Sequence, residues 1–86
     1  MNNEISLFKS LSDGTRLDIL KFLLKGERCV CEIFPKVNRT QSTVSIQLAK
    51  LESAGLISSR RDGKKIFYRI VDLRVAKILT LAKKKL

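Results

Sequence analysis

Cys29 and Cys31 stand one residue apart in the stretch ERCVCEIF, and they are the only cysteines among 86 residues. A thiol pair at this spacing has three fates. Two thiolates can share a soft metal or metalloid ion, because thiolate sulfur prefers soft ions. They can be oxidised to a disulfide around one intervening residue, a strained ring that is labile and therefore switchable. Or they can pack as small apolar side chains with no further chemistry. Arg28 beside the pair favours the thiolate form.

Other residues are suited to hydrogen bonding and to holding anions. Gln41, Ser42, Thr43, Ser45, Gln47 and Lys50 form a short, polar, nearly acid-free set, with Arg39 just before it. Farther on, Arg60, Arg61, Lys64 and Lys65 crowd around Asp62-Gly63. Four like charges at one tip repel each other and make better sense beside phosphate. The whole chain agrees: 18 Lys and Arg oppose 8 Asp and Glu, a formal charge of +10 with no histidine. Such an excess on so small a chain favours a polyanionic partner through counterion release. Enzymatic chemistry has almost no support. There is no imidazole base, no glycine-rich phosphate loop and no carboxylate pair that stands out.

Apolar periodicity predicts the elements that position these residues: five helices and one hairpin. Ile5, Leu7, Phe8 and Leu11 mark the first helix. Ser12 or Asp13 caps a second, with Leu17, Leu20, Phe22, Leu23 and Leu24 as its stripe and Gly26 as its stop. A third, within 30–38, should be brief or irregular, since Pro35 suits only a first turn or a kink. Thr40 caps a fourth, whose stripe is Val44, Leu48 and Leu51 and whose stop is Gly55. Its opposite face is the polar set, and Ile46 on it could touch a thymine methyl. Asp62-Gly63 predicts a tight hairpin turn, since both residues tolerate positive φ. The last helix is apolar on two sides through Val75, Ala76, Ile78, Leu79, Leu81 and Ala82. Two apolar sides need two partners, so it predicts a dimer interface. Lys83, Lys84 and Lys85 suit the negative pole of its dipole.

The expected architecture is therefore mostly α with a β-hairpin wing, in the order α-α-α-α-β-β-α, a winged helix-turn-helix over a single domain, 1–86. Gln41, Ser42, Thr43, Ser45 and Gln47 are expected to read bases in a major groove. Arg39, Lys50, Arg60, Arg61, Lys64 and Lys65 are expected to hold phosphates. A dimer would set two such helices about one helical turn apart on an inverted repeat of double-stranded DNA. The alternative from another class is a constitutive architectural protein that uses the same basic surface without sequence preference. No apolar run approaches a membrane span and no signal peptide is evident, so a cytoplasmic setting is expected.

The stretches LSDGTRLDILKFLLKGE, CVCEI, TQSTVSIQLAKLESAGLI and RRDGKKIFYRI, in this order and spacing, resemble the ArsR/SmtB family of transcriptional repressors. The resemblance implies a homodimer joined through the first and last helices, here Ile5, Phe8, Val75, Ile78, Leu79 and Ala82. It implies a recognition helix at 41–53 and a wing at 60–65. It also implies a thiolate sensor at Cys29 and Cys31 for As(III), Sb(III), Cd(II) or Pb(II). This chain departs from the family in three respects. Ile46 and Gln47 replace a basic or polar residue followed by histidine. The absence of histidine excludes zinc sensing by acid and histidine pairs on the last helix. Phe34 stands where arsenite sensors often carry a third cysteine, so remaining ligands would be an exogenous thiol, water, or a carboxylate such as Glu32. Because side chains two apart point different ways on a helix, chelation is expected to disfavour regular helix across 29–31.

Overall fold

Two helix starts carry a short oxygen side chain that takes up a free backbone N–H. The computed structural model describes residues 3–83. Its elements are α1 (Asn3–Leu11), α2 (Gly14–Leu23), β1 (Arg28–Cys29), α3 (Val30–Lys36), α4 (Gln41–Ser53), β2 (Ile57–Asp62), β3 (Lys65–Ile70) and α5 (Leu73–Lys83). Asp13, rather than Ser12, caps α2: its Oδ2 accepts from Arg16 N at 3.0 Å. That backbone bond is the main cause holding the Asp13 carboxyl below its ordinary pKa. Thr40 caps α4, its Oγ1 accepting from Thr43 N at 3.2 Å. Thr40→Ala should cost about 1 kcal/mol, seen as a lower urea midpoint at constant slope. An unmoved midpoint would show the cap to be redundant.

The helix ends are equally local. Gly55 takes φ +78° after α4, letting Leu56 N reach Leu51 O at 3.1 Å and Gly55 N reach Glu52 O at 3.0 Å. Those two bonds form a Schellman motif, whose left-handed position favours glycine. Asn38, φ +57°, serves the same purpose after α3. Helix α3 is short, as expected, yet it accommodates Pro35 in its second turn. Only seven residues long, it has little helix beyond the proline to disrupt.

The order has one element beyond the expected seven. The two residues of β1 pair antiparallel with β3, Arg28 opposite Tyr68 and Cys29 opposite Phe67. The sheet is ordered β1-β3-β2. In the wing hairpin Ile57 pairs with Ile70 and Asp62 with Lys65. The turn is therefore Gly63-Lys64, one residue later than the Asp62-Gly63 expectation, and only Gly63 takes positive φ there, +64°. A glycine at the first central position is a hairpin pattern in its own right.

The core joins Leu7 of α1 to Ile19, Leu20 and Leu23 of α2, Ile33 of α3, Val44, Leu48 and Leu51 of α4, Leu56 and Ile57. Val75 and Leu79 of α5 also belong to it, 0% and 5% exposed. This corrects their assignment to a dimer interface: they form the side of α5 that packs on its own protomer. Ile78 is half-buried against the same core. The second apolar side of α5 instead exposes Leu73 and Leu81, 74% and 64% exposed, with Ala82 also exposed. On α1, Ile5 and Phe8 are exposed, 55% and 58%. Lys83 ends α5, whereas Lys84 and Lys85 lie outside the described residues. No helix among the described residues is long and apolar enough to cross a membrane.

Candidate nucleic-acid interface

Helix α4 is held from behind by its buried row Val44, Leu48 and Leu51, so its other side faces out. The outermost stripe is Ser42, Ile46, Ala49 and Ser53, all exposed, with Gln41, Ser45 and Lys50 exposed beside it. Two of the expected base readers have other partners. Thr43 is half-buried, and its Oγ1 accepts from Thr40 Oγ1 at 2.9 Å. Gln47 is half-buried on the flank of the helix, its Oε1 accepting from Arg16 Nη1 at 3.0 Å. Gln47 thus departs from the expected outer face because the amide oxygen is committed within the protomer.

Arg16 was not among the expected residues. Its guanidinium also donates to Ser10 O at 3.3 Å and Lys9 O at 3.1 Å. One side chain therefore ties the end of α1, the start of α2 and the flank of α4, fixing the recognition surface to the body. Glu52 fastens the other end, accepting from Ser59 Oγ of β2 at 2.7 Å. Arg39 folds onto the turn before α4, donating to Val37 O and Asn38 O at 3.2 and 3.1 Å. It remains exposed, so an anion could compete for it.

At the wing the four cations separate into two kinds. Arg61, Lys64 and Lys65 are exposed and make no ion pair among the described residues. Arg60, by contrast, donates Nε to Glu27 Oε2 at 2.9 Å and Nη2 to Glu27 Oε1 at 2.6 Å. Its guanidinium also lies over the Phe67 ring, 4.7 Å from the centroid. A bidentate carboxylate and a ring face occupy the groups that would grip phosphate. Arg60 thus fastens the wing to the segment before β1 while staying exposed, and it differs in this from the three other wing cations. The hydrogen bond from Arg60 is the main cause holding the Glu27 carboxyl below its usual range.

The cysteines lie where β1 becomes α3. Cys29 is extended (φ −70°, ψ 146°) and caps α3, its Sγ accepting from Cys31 N at 3.1 Å. Glu32 completes a capping box, accepting from Cys29 N at 3.0 Å. The two sulfurs are joined as a disulfide, with Cα atoms 5.1 Å apart. The sulfurs meet across the junction because Cys29 precedes the helix and Cys31 is its second residue. With the pair closed, Cys29 is extended and α3 starts only at Val30, so no regular helix runs across 29–31. Glu32 is occupied by the cap and stands 3.8 Å from Arg28 Nη1. Among the described residues no three His, Cys, Asp or Glu gather as a metal site. Reduced, the pair would offer an ion two protein sulfurs, but not three within one protomer.

Residues 13–59 match the family model described as bacterial regulatory protein, arsR family. A probable mercury resistance operon repressor of Streptomyces lividans is 43% identical over 76 residues, spanning 88% of this chain and 61% of that protein. The arsenical resistance operon repressor of Escherichia coli (strain K12) is 42% identical over 67 residues, spanning 77% of this chain and 57% of that protein. The chain thus spans about three fifths of each of these two relatives. Among solved structures, a homodimeric winged helix-turn-helix DNA-binding domain from Mycobacterium bovis superposes with TM-score 0.85 at 36% identity, covering 94% of this chain and 75% of that one.

Proposed function

The chain belongs to the arsR family of bacterial regulatory proteins, and from that premise we propose that it is a sequence-specific DNA-binding transcriptional repressor. The observation that carries the proposal is the pairing of two surfaces: an exposed stripe on a capped, firmly anchored α4, and a hairpin tip with three unpaired cations. The first suits base edges in a major groove, and the second suits flanking phosphates. The acting unit is a homodimer joined through the exposed apolar sides of α1 and α5, bound to an inverted repeat. The homodimeric Mycobacterium bovis domain supports this assembly.

The effector is thiophilic, a metal or metalloid ion taken by Cys29 and Cys31. The names of the mercury and arsenical resistance relatives support this class. An ion satisfied by two thiolates needs nothing more, whereas arsenite would complete its shell with an exogenous thiol or hydroxide. Since β1 pairs with β3, a bond made at Cys29 bears on the strand that carries the wing. Release of DNA by a hundredfold requires the ion to favour the released form by ~2.7 kcal/mol. A redox switch at the same pair is a second reading, favoured by the joined sulfurs. There a dithiol reductant would return two thiols and leave as its own disulfide.

One fluorescence titration at fixed salt tests these points. The reduced protein should bind a duplex from its own upstream region ~10³ times or more tighter than a random duplex. A ratio near one would favour the architectural alternative. Added arsenite or mercuric ion should release the specific duplex, and a Cys29→Ser, Cys31→Ser variant should not respond. If neither these ions nor Sb(III), Cd(II) or Pb(II) release the wild type, the metal reading fails. Release on oxidation alone would establish the redox one.

A further inference from the structure

We infer that Ile46 discriminates between bases from the centre of the outer stripe of α4, by packing on the 5-methyl group of thymine. This rests on the repressor reading above and deepens it. Ile46 is 55% exposed on the outermost stripe of the helix. Its neighbours one turn away, Ser42 and Ala49, are short and exposed, as are Ser45 and Ser53. The short residues let the helix backbone approach a groove floor closely, and the isoleucine then projects deepest at the centre.

The hydrogen-bonding side chains around it leave the thymine methyl to Ile46. Serine hydroxyls donate or accept, so Ser42 and Ser45 suit several base edges. Gln47 is half-buried on the flank of the helix and shares its Oε1 with Arg16, so it is less free than Ile46 to meet a base edge. Thr43 is engaged with Thr40. Gln41 remains at the helix start, exposed, but its contacts would be hydrogen bonds that a methyl group does not supply. An apolar contact to the thymine methyl is the readout that the centre of the stripe can provide. Ile46 is not part of the protomer core, and alanine is the better helix former, so Ile46→Ala leaves the scaffold standing.

The test uses the full chain and a symmetric duplex that it selects from a random pool. Each thymine is replaced in turn by deoxyuridine, which removes the methyl and keeps every hydrogen-bonding group. At one position in each half-site binding should weaken about fourfold, and about fifteenfold with both replaced, from the transfer cost of one buried methyl. In Ile46→Ala, thymine and deoxyuridine duplexes should bind alike at that position, with an unchanged circular-dichroism melt. Wild-type indifference at every thymine would overturn the inference, as would a preference that persists in Ile46→Ala. If the pool yields no duplex preferred over random DNA, the repressor reading itself fails and the inference with it. That outcome is separable, since it precedes any deoxyuridine substitution.

Discussion

Replacing Phe8 and Leu81 by aspartate is expected to give a folded monomer whose affinity for an inverted repeat is at least about a hundredfold weaker. Both residues are apolar, more than half exposed and on the helices left with an unpartnered side. Placing charge on each side of the proposed interface opposes association while leaving the protomer's own packing in place. Leu79→Asp is the contrasting variant. Leu79 is 5% exposed and packs within the core, so an aspartate there is a buried, unpaired charge and should abolish cooperative unfolding. Sedimentation velocity and a thermal melt separate the two results. A Phe8→Asp, Leu81→Asp protein that still sediments as a dimer would place the interface elsewhere. A Leu79→Asp protein that melts normally would contradict the assignment of that side to the core.

That contrast also shows what the sequence could and could not reveal. Caps, stops and stripes are local, so Thr40, Gly55 and the row Val44, Leu48, Leu51 are legible, and with them α4 and its outward face. Which apolar side of α5 is core is a tertiary fact, because both sides have helical spacing. Strand β1 is only two residues long and exists through its pairing with β3. No periodicity can announce it. The side-chain ties that reassign Gln47 and Arg60 span 31 and 33 residues. Arg16 and Glu27 therefore look like ordinary surface charges in the sequence. The cysteines are legible as a pair, but the helix start at Val30 decides that their sulfurs can meet without unwinding α3.

The wing yields the other large effect, because the structure divides four apparently equivalent cations. Alanine at Arg61, Lys64 and Lys65 together should weaken binding to all duplexes, specific or random, and flatten its dependence on salt. Removing one phosphate-bound cation lowers the slope of log affinity against log salt by ~0.9, so removing three from each of two wings lowers it by up to roughly five. Arg60→Ala should leave the slope unchanged, since its guanidinium is held by Glu27 and stacked on Phe67. Glu27→Gln then supplies the decisive comparison. The amide pairs weakly with Arg60, the cation becomes available to phosphate, and the slope should steepen by ~0.9 per wing. Acid should act in the same direction. Glu27 has its pKa lowered in the folded chain, so its pairing with Arg60 stabilises the wing fully above the ordinary carboxylate range, and that stabilisation disappears as pH falls through the lowered value. A flattened slope in Arg60→Ala would return Arg60 to the phosphate-binding set. An unchanged slope in the triple variant would remove the wing tip from the DNA interface altogether, leaving α4 and Arg39 to hold the duplex.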